Sequence, residues 1–135
     1  MSKSLIYVVN TSTQNVLVNG IITPGTIIRR FGQNLGLSGN GIQISGPGYY
    51  KIEGSFTLAP TAAGEITVTA YLDGVEIPGV VATETAGTEG DFINLSVVGV
   101  IKEGCPCCDG LKTLTFVLSD TAASVTNSSI VVEKI

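Results

Sequence analysis

Gly46-Pro47-Gly48-Tyr49-Tyr50-Lys51-Ile52-Glu53-Gly54-Ser55-Phe56-Thr57-Leu58 decides the fold class. A Gly-Pro-Gly turn opens directly into a run of strict two-residue period. Tyr50, Ile52, Phe56 and Leu58 fall on one side, with Gly54 between them; Lys51, Glu53, Ser55 and Thr57 fall on the other. Such alternation sets one apolar face on a core and one polar face toward water, as antiparallel sheets allow. A helix of about 3.6 residues per turn would scatter the same apolar set around its circumference.

Outward from this strand, turn signals recur at Asn19-Gly20, Pro24-Gly25, Gly39-Asn40-Gly41, Asp73-Gly74, Pro78-Gly79 and Asp109-Gly110. Each supplies Gly where φ must be positive or Pro where φ is preset. Between them the sequence predicts short strands at 4–10, 15–19, 26–30, 42–45, 49–59, 65–72, 75–77, 91–102, 111–119 and 129–135, and a mobile loop at 80–90. No segment of ten residues has helical periodicity. The pattern reads as an all-β, two-sheet antiparallel sandwich in one domain spanning 1–135. At 135 residues and 13.9 kDa, one domain buries most of its apolar surface without staples.

The strands are of two kinds. In 65–72, Ile66, Val68, Ala70 and Leu72 alternate with Thr67, Thr69 and Tyr71, as in an outer sheet with one solvated face. Leu5-Ile6-Tyr7-Val8-Val9, Val97-Val98-Gly99-Val100-Ile101 and Ile130-Val131-Val132 are apolar on both faces. A two-layer sandwich covers one face only. Loops or long neighbouring side chains could cap the rest; alternatively, the three strands share a sheet whose second face packs on other subunits. Composition agrees with the second reading. Charged residues are 13% and mean hydropathy is +0.43, and apolar surface in excess of one core is what obligate homo-oligomers bury. Fifteen Thr, eleven Ser and seven Asn make the polar strand faces neutral hydroxyl and amide surfaces.

Gly48-Tyr49-Tyr50-Lys51-Ile52, Leu72-Asp73-Gly74-Val75-Glu76-Ile77-Pro78-Gly79 and Ser129-Ile130-Val131-Val132-Glu133-Lys134 carry a further signal. From about residue 15 onward the chain resembles the jelly-roll superfamily of tumour necrosis factor cytokines and complement globular heads. Within it, the chain most resembles the tip domains of Bacillus exosporium collagen-like proteins. The resemblance implies a ten-strand jelly roll in a tight three-fold trimer, with the sheet of both terminal strands turned toward the axis. Tyr7, Val98, Val100, Val131 and Ile135 are the expected axis-facing contacts. The chain departs from that subgroup in having no Gly-X-Y stalk ahead of the head, so a stand-alone phage or bacterial product is an equal expectation.

Chemistry-bearing groups are few. The absence of His removes Ser-His-Asp and Cys-His catalysis and the commonest metal ligand. Glu53, Glu65, Glu76 and Asp91 show no paired spacing and read as solvated strand faces and turn ends. The glycine-rich turns lead into strands, not helix N-termini, and so form no phosphate loop. Net charge is −4 with no basic stripe, which argues against nucleic acid. The first ten residues hold an apolar run of only five, too short for a signal-peptide core or a membrane span. The sequons at Asn10, Asn94 and Asn127 read as chance, and no acidic loop clusters enough oxygens for calcium.

Cys105-Pro106-Cys107-Cys108 is the odd constellation. Its spacing fails for zinc within one chain. In a trimer, Cys105, Cys107 and Cys108 could together hold a shared metal, form disulfides between subunits or particles, or stay reduced. No cofactor is expected. Two functions follow. One is a non-enzymatic homotrimer made in the cytoplasm and assembled onto a capsid, virion or spore coat. The other is a trimeric module at a fibre tip or cell surface that binds a receptor or carbohydrate on a host.

Overall fold

The structure, a computed structural model, describes residues 3–103 and 111–135. The strands are β1 Ser4–Asn10, β2 Gln14–Val16, β3 Thr26–Phe31, β4 Leu35–Ser38, β5 Gly41–Ile44 and β6 Gly48–Pro60. They continue with β7 Gly64–Leu72, β8 Val75–Ala86, β9 Ile93–Glu103, β10 Lys112–Ser119 and β11 Ala123–Lys134. One sheet runs β3-β1-β11-β6-β9, with β2 paired to β11; the other runs β4-β5-β10-β7-β8. The chain crosses repeatedly between the two sheets, so its first and last strands become neighbours: β1 and β11 pair antiparallel from Ser4↔Lys134 to Asn10↔Ser128. This is an all-β jelly-roll sandwich.

The two-residue period of β6 emerges as read, with Tyr50, Ile52, Phe56 and Leu58 fully buried. From the facing sheet, β7 contributes Ile66, Val68 and Ala70, and β10 contributes Leu114, Phe116 and Leu118. The Phe56 and Phe116 rings meet at 5.2 Å between centroids, tilted by 54°, an edge-biased geometry that aromatic pairs favour. At the end of the molecule carrying both termini, the Tyr50 hydroxyl donates to the carbonyls of Ser45 and Gly46, each at 2.9 Å. Asn34 Nδ2 also donates to the Ser45 carbonyl at 2.7 Å. Gly46 has φ +92, and a Cβ there would lie 2.5 Å from Asn34 Nδ2, so only glycine fits.

Several strands differ from the sequence reading. The expected mobile loop at 80–90 is a strand as far as Ala86. Pro78-Gly79 is not a turn but an irregularity within β8, whose register to β7 jumps between Thr69↔Val81 and Tyr71↔Glu76. β8 is an edge strand and Pro78 falls in the register jump, where no β7 residue pairs with it, the setting in which strand proline is tolerated. β11 begins at Ala123 rather than 129, because a bulge between Val125 and Asn127 breaks the two-residue period. β4 was not expected and raises the count from ten to eleven. Thr67 and Thr69, assigned to a solvated face, are buried; the Thr67 hydroxyl donates to Asp120 Oδ2 at 2.7 Å and lies 2.9 Å from the Thr83 hydroxyl.

Candidate functional site

The three strands that are apolar on both faces lie in one sheet, as β1, β9 and β11. Their inner residues, Ile6, Val8, Val97, Ile101, Ile130 and Val132, belong to the core. Their other residues look outward, and cross-strand pairing arranges them in rows. One row reads Arg29, Tyr7, Val131, Glu53, Val98 from β3 to β9. The next row toward the termini reads Phe31, Leu5, Glu133, Lys51, Val100. On the other side of the first row come Ser129, Ser55 and Ser96, then Asn127, Thr57 and Asn94. The face is therefore an apolar band with a few charges at the terminal end and a hydroxyl and amide surface at the far end.

Tyr7 and Val131 are adjacent and half-buried. Val98 is 58% exposed and Val100 54%. Ile135 lies just past β11, 63% exposed, its N–H donating to the Tyr49 carbonyl at 2.9 Å. Cys105, Cys107 and Cys108 lie outside the described residues. Phe31, 55% exposed, and Arg29 extend the band along β3; the sequence reading missed both. Thr26-Ile27-Ile28-Arg29-Arg30-Phe31 has no clean alternation, so nothing in it announces which side meets the band.

Between Val98 and Val131 the small residues Gly54, Ser55, Ser96 and Ser129 leave a shallow hollow of about 340 Å³. Glu53 stands at its rim, with Lys51 Nζ 3.8 Å from its Oε1. Of the other carboxylates singled out, Glu65 lies on β7, Glu76 on β8 and Asp91 ahead of β9, so they do not converge. Among the described residues no group of three or more His, Cys, Asp or Glu could hold a metal ion. At the far end a second hollow of about 440 Å³ is lined by Glu84, Asp91, Phe92 and Asn94. Phe92 is 72% exposed, an exposed aromatic that the sequence reading did not anticipate.

No family model matches the chain, and no curated protein sequence matches it. Solved structures do. The crystal structure of murine APRIL at pH 5.0 superposes with a TM-score of 0.75 at 10% identity, covering 99% of this chain and 100% of that one. The globular domain of zebrafish complement 1qA protein gives 0.61 at 10% identity, with coverage of 97% and 95%. PRD1 vertex protein P5 gives 0.59 at 19% identity, with coverage of 98% and 96%. What the three share with this chain is its fold, a jelly roll of the TNF/C1q-like type.

Proposed function

We propose, proceeding from that TNF/C1q-like fold, that this chain is a non-enzymatic structural protein, a homotrimer that decorates a particle surface such as a phage virion or a spore coat. The observation that carries this reading is the outer face of the β3-β1-β11-β6-β9 sheet. It leaves Phe31, Val98 and Val100 more than half exposed beside Tyr7, Leu5 and Val131. Glu53, Lys51 and Glu133 interrupt this apolar band only on β11 and β6, and exposed apolar surface rimmed by polar groups marks an interaction site. Further exposed apolar residues, Val75 and Val81, lie on β8, at the side of the sandwich where β9 is the other edge. A flat face and an adjoining edge are different surfaces, so copies meeting face to edge make a heterologous contact, which closes into a ring of three when each copy is turned a third of a circle from the last. The particle half of the reading draws support from the fold shared with a vertex protein.

Sedimentation equilibrium at micromolar concentration tests the assembly: three copies are expected, and a dilution-resistant single copy sinks the reading. Density for the protein on purified virions or spores tests the location. Phe92 favours a second reading, a trimeric receptor- or carbohydrate-binding module, because it offers an exposed ring beside carboxylate and amide groups at the end away from the termini. Glycan-array binding that Phe92→Ala abolishes would select that role.

A further inference from the structure

We propose that the occupant of this face is a second copy of the chain, held in register by an ion pair between Arg29 of one copy and Glu53 of the next. The inference rests on the trimer reading and adds the contact that sets its register.

Of the neighbouring pair Arg29-Arg30, Arg30 is tied to another strand: it stands opposite Ile6, turns toward the other sheet, and its Nε donates to the Leu35 carbonyl at 2.7 Å. Arg29 stands opposite Tyr7 on the outward face, exposed, with NH1 donating only to the adjacent Ile28 carbonyl at 2.9 Å. Among the described residues the one ion pair is Lys51–Glu53 at 3.8 Å, and it engages a single oxygen of a carboxylate that is itself 52% exposed. Arg29 and Glu53 share a row but lie three strands apart. At about 4.8 Å per strand that is about 14 Å, beyond the reach of the two side chains.

The row thus carries a cation at one edge, Tyr7 and Val131 in the middle, and a carboxylate toward the other edge. Rotation about an axis along the strands leaves every row at its own level. A heterologous contact therefore brings the Arg29 edge of one copy to the Glu53 side of its neighbour at matching height. Covering the apolar band removes water from both charges, and each then needs a partner. A guanidinium can donate a charge-assisted hydrogen bond to the Glu53 oxygen that Lys51 leaves free.

Charge reversal with rescue tests this. Arg29→Glu and Glu53→Arg should each weaken self-association at least about tenfold, and the double swap should recover it to within about threefold. Both sites are exposed in a single copy, so folding is checked by circular dichroism, and Arg29→Gln with Glu53→Gln gives a milder pair. If the wild type associates and the swap rescues nothing, or neither single reversal weakens it, the ion pair is overturned while the trimer stands. A wild type that sediments as single copies overturns both.

Discussion

Two residues show how polar groups fare inside this sandwich. Ser128 Oγ is fully buried on β11 with no hydrogen-bond partner among the described residues. An unsatisfied buried hydroxyl costs free energy that its removal recovers. Ser128→Ala should therefore leave stability unchanged or raise it by up to about 1 kcal/mol; a loss larger than that in urea unfolding would mean that the hydroxyl is bonded after all. Tyr50 is the opposite case, a buried phenol with two acceptors. Burial, and then the negative charge of Glu103, raise its pKa above the ordinary 10.0. The fold thus favours the neutral phenol. That contribution is complete below pH 10.0 and is lost as pH climbs through the raised native value. Thermal midpoints should consequently fall more steeply above pH 10 in wild type than in Tyr50→Phe, whereas parallel curves would show that the phenol does not titrate with unfolding.

At the scale of the strand, period and face were legible wherever one strand kept one parity throughout. β6 and β10 are such strands, and their inward residues are the core. β8 and β11 each contain an irregularity that re-phases the side chains. In β11, Ala123 and Val125 point inward on odd numbers, and Ser128, Ile130 and Val132 on even ones. A reader counting by twos meets Thr126-Asn127-Ser128-Ser129 as a polar gap and starts the strand too late. β4, with glycine as one of its four residues, carries too little side-chain pattern to announce itself. The outward apolar residues of β9 and β11 belong to the same scale. Val98 is 58% exposed in one copy, where a surface substitution costs within about 0.5 kcal/mol. If the face is covered by a neighbour, Val98→Asp and Val131→Asp should each cost the assembly about 3 kcal/mol or more through an unpaired buried charge. Size-exclusion chromatography with light scattering distinguishes the two, and trimers of undiminished heat stability would mean that these valines face elsewhere.

For the whole molecule, the registers sort charge along its length. Lys3, Arg29, Arg30, Lys51, Lys102, Lys112 and Lys134 lie from the middle toward the end that holds the termini. Glu65, Glu84, Glu89, Asp91 and Asp120 lie toward the opposite end with no cation among them. Three copies closing around the apolar band would make folding and association one event, so the thermal midpoint should rise with protein concentration. A midpoint independent of concentration over a hundredfold range would argue for a self-sufficient single chain. The sequence by itself determined the all-β class, the inward residues of the regular strands and the surplus of apolar strand, because a two-residue period and side-chain polarity are local properties. Which strands lie side by side, and hence that Arg29, Tyr7, Val131, Glu53 and Val98 form one row, was decided only by the tertiary structure. Those residues stand up to 124 positions apart, from Tyr7 to Val131, and cross-sheet winding, not any local pattern, makes them neighbours.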